Sequence, residues 1–109
     1  SRPNVERLIW LDSQGLIHPS VRDSVRNVIH EPYRFPADIM KVLKQDETVW
    51  ENYCSFSEPY KRIRVAYIDA ARKRPSEFER RLANFIEKTR NNRLITGYGG
   101  VEKYYSVHK

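Results

Sequence analysis

Apolar residues recur along most of this chain every three or four positions, which is the spacing of helices that bury one face. The clearest stripe lies in the last third of the chain and comprises Phe78, Leu82, Phe85, Ile86 and Thr89. No internal repeat or low-complexity stretch interrupts the pattern. The sequence therefore predicts an all-α fold, a single compact domain of about five to six short helices.

Residues that favour helix ends place the first two helices. Asn4 is the predicted N-cap of a helix over residues 4–14, and Gly15 is its left-handed stop. Ser20 is predicted to cap the second helix, with Asp23 as the acidic partner of a capping box. The inner face of this helix is predicted from its apolar stripe of Val21, Val25, Val28 and Ile29.

Proline and serine place the later helices. Pro32 and Pro36 predict an extended connection before two short helices. Ser57 is the predicted cap of a fifth helix, and Ser76 with Glu79 predicts a capping box for a sixth. These signals divide the chain into two parts, which are a helical domain over 1–95 and a Gly/Tyr-containing tail over 96–109, packed on the domain or flexible.

Length and composition fit this scheme. The 109 residues suit one domain, and no apolar run approaches the roughly 20 residues of a membrane span. The single cysteine, Cys54, allows no intrachain disulfide and is expected to act as a small buried hydrophobe.

The net charge of +6 is concentrated in one segment. Residues 60–93 hold eleven Lys/Arg against four Asp/Glu, whereas the remainder holds nine against ten. The segment supplies candidate anion or nucleic-acid contacts: Lys61, Arg62, Arg64, Arg72, Lys73, Arg80 and Arg81. Alternatively it forms a solvated face, because Asp69, Glu77 and Glu87 precede arginines, and Asp69 also Lys73, by three or four positions. For Arg64, at the border of an inner face, we expect a structural ion pair.

No pattern of catalytic, metal-binding or cofactor-binding residues is present. The three histidines are His18, His30 and His108, and with Cys54 they lack the spacing of a zinc site. The Gly97-Tyr98-Gly99-Gly100 stretch lacks the lysine of a phosphate-binding loop and predicts a turn. We therefore expect no cofactor and no enzymatic activity.

Several packing residues over 35–94 form one recognisable pattern: Pro36 and Asp38, Trp50 and Tyr53, Ser57 and Tyr60, Ile68 with Ala71 and Arg72, and Arg81 with Leu82. This pattern resembles the C-terminal helical region of the YdeI/OmpD-associated family, also described as OmdA or bacteriocin-protection proteins. Asn4, Val5, Leu8, Gly15 and Pro19 extend the similarity to the first helix. Ser76-Glu77-Phe78 departs from the Glu-Thr-Arg often found there.

The resemblance implies a bacterial cytoplasmic protein with a link to stress or bacteriocin resistance, which is a phenotype and names no reaction. It supplies no catalytic residue. Two hypotheses follow: a non-enzymatic module that binds an unidentified protein partner, or a nucleic-acid-binding protein that uses residues 60–93.

Overall fold

The computed structural model describes residues 1–96, which fold into six α-helices and, within that range, no strand. The helices are α1 (Arg2–Ser13), α2 (Pro19–His30), α3 (Ala37–Lys44), α4 (Glu47–Ser55), α5 (Glu58–Asp69) and α6 (Pro75–Arg90). The all-α prediction is confirmed. The predicted tail lies, apart from Thr96, outside the described residues.

The ends of α1 show one wrong prediction and one confirmed. The helix begins two residues before Asn4, with Pro3 in its first turn, where a missing N–H costs little. Gly15 ends it with φ of +68°, as predicted. The amide of Gly15 donates to the Asp12 carbonyl (3.0 Å) and that of Leu16 to the Leu11 carbonyl (2.9 Å). This pattern is a Schellman motif.

The start of α2 differs from the prediction. His18 is the N-cap, and its Nδ1 accepts the Ser20 amide N–H at 3.1 Å. Ser20 lies inside the helix because Pro19 occupies the first helical position, which suits its fixed φ. Asp23 does not close a capping box; it lies 2.7 Å from Nη2 of Arg26, three residues later.

Caps set the start of α4 and α5 as well. Oδ1 of Asp46 accepts the Val49 amide at 3.1 Å, and Oγ of Ser57 accepts the Tyr60 amide at 3.4 Å, so the predicted Ser57 cap is confirmed. The capping box predicted for α6 is wrong. That helix begins at Pro75, before Ser76, and no side chain caps it.

The core lies within α3 to α6. Its fully buried apolar side chains run from Ile39 on α3 to Phe85 on α6. Aromatic rings join the helices: Tyr53 meets Phe85 edge-on at 6.2 Å, and Phe56 meets Tyr60 at 5.0 Å. The predicted α6 stripe faces this core, with Phe85 and Thr89 buried. Helix α1 packs on α5, and α2 packs on α1.

Candidate interaction surfaces

The helical hairpin formed by α1 and α2 exposes apolar side chains. The three large hydrophobic residues that are exposed among residues 1–96 all lie in it, with Leu16 63% exposed, Val21 48% and Val28 42%. Val21 and Val28 are seven positions apart and therefore lie on one face of α2, two turns from each other. No residue of α2 is buried. The prediction that Val21 and Val28 face inward is wrong. Among the described helices, α2 packs extensively against α1 only, and the side of α2 that carries these two valines is left uncovered.

A groove of about 340 Å³ continues the exposed face of α2 toward the start of α1. Val28 lines it together with Val5 of α1 and with Pro32 and Tyr33 of the extended connection. Arg2 also lines it, and its guanidinium carbon lies 5.1 Å from the Tyr33 ring centroid. Glu31 and Arg34 line the groove too, so this concave surface of the hairpin combines apolar side chains with charges of both signs.

Six of the eleven basic residues in segment 60–93 pair with carboxylates of described residues. Arg72 bridges α5 to α3, with Nη1 2.7 Å from Oδ2 of Asp38 and Nη2 2.8 Å from Oδ1 of Asp69. The hydrogen bonds from Arg72 hold the pKa of the Asp38 carboxyl below its usual value. Nζ of Lys61 lies 2.7 Å from Oε1 of Glu58. Lys73, by contrast, makes no ion pair with any described residue.

Glu77 engages two neighbouring arginines. Nε of Arg80 lies 2.6 Å from Oε1, and Nε of Arg81 lies 3.1 Å from Oε2. These hydrogen bonds, that from Arg80 first, lower the pKa of Glu77 to about 2. Glu87 lies 2.7 Å from Nη1 of Arg90. Of the helix-surface pairs predicted from the spacing of Asp69, Glu77 and Glu87, those with arginines form, and the pair of Asp69 with Lys73 does not.

Two guanidiniums stack on Tyr67 between α5 and α6. The guanidinium carbon of Arg81 lies 3.7 Å from the ring centroid, and that of Arg64 lies 4.9 Å from it. Nη1 of Arg81 also donates to the Tyr67 carbonyl at 2.7 Å. Arg64 is 6% exposed, so its charge is buried against an aromatic face.

Sequence reasoning missed the most buried charged contact. Glu6 of α1 is 1% exposed and accepts hydrogen bonds from Arg62 of α5, 56 positions away. The contact places Arg62, a predicted nucleic-acid contact, against α1. No local sequence signal marks it, because Glu6 occupies a polar position in a short helix and its partner is remote.

The histidines and the cysteine are scattered over the described helices. His18 caps α2, His30 ends it, and Cys54 is half-buried on α4; His108 lies outside the described residues. Within residues 1–96, no group of three or more His, Cys, Asp or Glu side chains is placed to hold a metal ion. In that same range no helix is both long and apolar enough to cross a membrane.

A family model described as "Bacteriocin-protection, YdeI or OmpD-Associated" matches residues 32–92, which is more than half of the chain. The chain belongs to this family. The match takes in α3 to α6 and hence the core. The similarity that we predicted for residues 4–31 lies outside it and stays a prediction.

No curated protein and no solved structure matches the chain. In this member of the YdeI/OmpD-associated family, the matched region holds the buried packing residues. The large hydrophobic residues that are exposed among residues 1–96, which are Leu16, Val21 and Val28, belong to the α1–α2 hairpin that precedes it.

Proposed function

We propose that this protein is a non-enzymatic interaction module that binds another protein through the exposed apolar face of the α1–α2 hairpin. The observation that carries the proposal is the exposure of Leu16, Val21 and Val28 together, in a helix pair where no residue of α2 is buried. Single exposed apolar residues are common on protein surfaces. Three in one hairpin, beside a groove that Val5, Val28, Pro32 and Tyr33 line in part, are typical of a surface that a partner covers.

The physical argument is the burial of apolar area. Covering a valine or leucine side chain that is half exposed gains on the order of 1 kcal/mol. A partner that covered this face would gain several such contributions from a preformed surface, without a cost for ordering a loop. An amphipathic helix laid into the groove between Val5, Val28 and Tyr33 fits this geometry.

The family supplies the biological setting of the proposal. Its description names bacteriocin protection. We therefore extend the proposal to a bacterial cytoplasmic protein whose partner acts in bacteriocin resistance or a related stress response. Binding of a protein, with no reaction carried out by this chain, would be the contribution of the domain.

The test is site-specific photo-crosslinking in bacterial cells that express the full chain. A photoreactive amino acid is placed at Val21, at Val28 and, as a matched control, at the exposed Asn84 of α6. We expect positions 21 and 28 to capture the same protein and position 84 not to capture it. Absence of a common product at 21 and 28, or the same product at 84, would overturn the proposal.

A survival assay connects the surface to the phenotype. Val21→Asp and Val28→Asp place a charge on the exposed face, where folding should tolerate it. We expect both variants to lose protection against bacteriocin while Asn84→Asp retains it. Circular dichroism and thermal unfolding of each variant are measured to check that the fold is intact. Full protection by both folded variants would show that the exposed face of the hairpin is not needed for protection against bacteriocin.

The second candidate is nucleic-acid binding by residues 60–93. It is supported by the four basic residues of this segment that make no ion pair with a described residue, which are Lys73, Arg74, Lys88 and Arg93. An amide NMR titration with short duplex DNA and single-stranded RNA, at low salt and at about 150 mM, tests it. Salt-sensitive shifts confined to 60–93 would favour this candidate. No shifts at low salt would eliminate it.

A further inference from the structure

A second cavity, of about 230 Å³, lies between α1 and α2, and its lining residues are mostly charged. Asp12 of α1 and Arg22, Arg26, Ile29 and His30 of α2 line it. The cavity shares no lining residue with the groove between Val5, Val28 and Tyr33. It is also separate from the basic segment 60–93.

The three basic residues of this cavity follow one another along α2. Arg22, Arg26 and His30 are spaced by four positions, so they lie on consecutive turns of one side of the helix, roughly 6 Å apart along its axis. Such a row places two guanidiniums and one imidazole along a single wall. Only one carboxylate, that of Asp12, lines the cavity with them.

Both guanidiniums are oriented and keep hydrogen-bond donors. Nε of Arg22 lies 3.2 Å from Oδ1 of Asp12, and Nη2 of Arg26 lies 2.7 Å from Oδ1 of Asp23. A guanidinium carries five N–H donors. Each carboxylate therefore positions its arginine and leaves most of the donors with no other acceptor among the described residues.

We propose that this cavity binds the phosphate group of a small phosphate monoester. Arginine binds phosphate through two parallel N–H···O bonds, and two arginines one turn apart can contact different oxygens of one phosphate. The imidazole of His30 adds a third N–H donor. A carboxylate ligand has two oxygens, and one arginine can bind both. A cavity with two arginines therefore favours a phosphate group over a carboxylate. Ile29 provides an apolar wall for the rest of the ester.

Amide chemical shifts of the full chain, titrated with phenyl phosphate and with inorganic phosphate at constant ionic strength, test the proposal. We expect saturable shifts at residues 22–30 with both, and tighter binding of phenyl phosphate if Ile29 contacts the ester. If inorganic phosphate binds more tightly than phenyl phosphate, the ligand of this phosphate site is the free ion. Shifts that do not saturate, or that sodium chloride alone reproduces, would overturn the site.

Variants separate this cavity from general charge effects. Arg26→Gln removes one cation from an exposed position, and we expect it to weaken phosphate binding about tenfold, since it removes charge-assisted hydrogen bonds. Lys41→Gln removes an equal charge from the exposed side of α3 and should bind as the parent does. Equal loss in both variants would mean that only net charge attracts the anion.

Discussion

Arg62 of α5 donates two hydrogen bonds to Glu6 of α1, from Nε to Oε2 and from Nη2 to Oε1, each 2.7 Å long. Nε of Arg2 donates to the same Oε2 at 2.7 Å. The carboxylate is 1% exposed and lies between two guanidiniums. The contact joins the hairpin that precedes the family-matched region to the helices within it.

Glu6→Ala is expected to lower the free energy of unfolding by about 3 kcal/mol, because it removes the buried carboxylate that binds both guanidiniums. Urea denaturation followed by circular dichroism measures the change. Glu51→Ala, at an exposed position on α4, is the matched control and should change it by less than about 0.5 kcal/mol. Equal unfolding midpoints for the two variants would show that Glu6 does not fasten α1 to α5.

A second interhelical contact is expected to contribute to stability through backbone carbonyls. Nδ2 of Asn52 on α4 donates to the carbonyls of Thr89 (2.9 Å) and Arg90 (3.3 Å), which lie at the end of α6. Helix ends leave such carbonyls without intrahelical donors. Asn52→Ala should therefore cost about 1.5 kcal/mol in chemical denaturation, whereas Asn84→Ala, on the exposed side of α6, should be near neutral. A neutral Asn52→Ala would imply that water replaces the amide.

The existence of the helices could be predicted from the sequence, because a period of 3.6 residues is a local property. Stops and caps were predictable where one residue decides them, as for Gly15 and Ser57. They were missed where proline set the start, since Pro19 and Pro75 place the helix before the serine that was expected to cap it.

The candidate site could not be predicted, for a different reason. The stripe of Val21, Val25 and Val28 shows that α2 has an apolar face, but whether another helix covers that face depends on tertiary packing. The same limit applies to Glu6, whose burial depends on an arginine 56 positions away. The paired arginines were predictable, because Glu77 and Arg80 are neighbours on one helix.

Two leucines provide a direct test of which helices bury apolar side chains. Leu43 on α3 is fully buried, and Leu16 after α1 is 63% exposed. Leu43→Ala is expected to cost about 3 kcal/mol, the typical cost of truncating a core leucine. Leu16→Ala should cost less than about 0.5 kcal/mol. Thermal unfolding of both variants measures these changes in stability. A loss of stability in Leu16→Ala comparable to that in Leu43→Ala would mean that the hairpin covers the Leu16 side chain in solution.

The pairing of Glu77 with Arg80 and Arg81 predicts a pH dependence of stability. The native carboxyl has a pKa of about 2, below its usual 4.5, so the unfolded chain takes up this proton first as the pH falls. The stabilisation is therefore fully present above about pH 4.5 and is lost between there and about pH 2. Glu77→Gln should reduce stability at neutral pH and show a smaller decrease on acidification.

Urea midpoints measured from about pH 6 to pH 2 test this dependence. Glu79→Gln is the control, since Glu79 is exposed on the same helix and makes no ion pair with a described residue. Its midpoints should follow the parent at every pH. Asp38 and Asp46 also have lowered pKa values, so they contribute to the stability that the parent loses in acid. Glu77→Gln should therefore remove only part of that loss. Identical pH profiles for Glu77→Gln and the parent would show that the two arginines do not hold this carboxylate in solution.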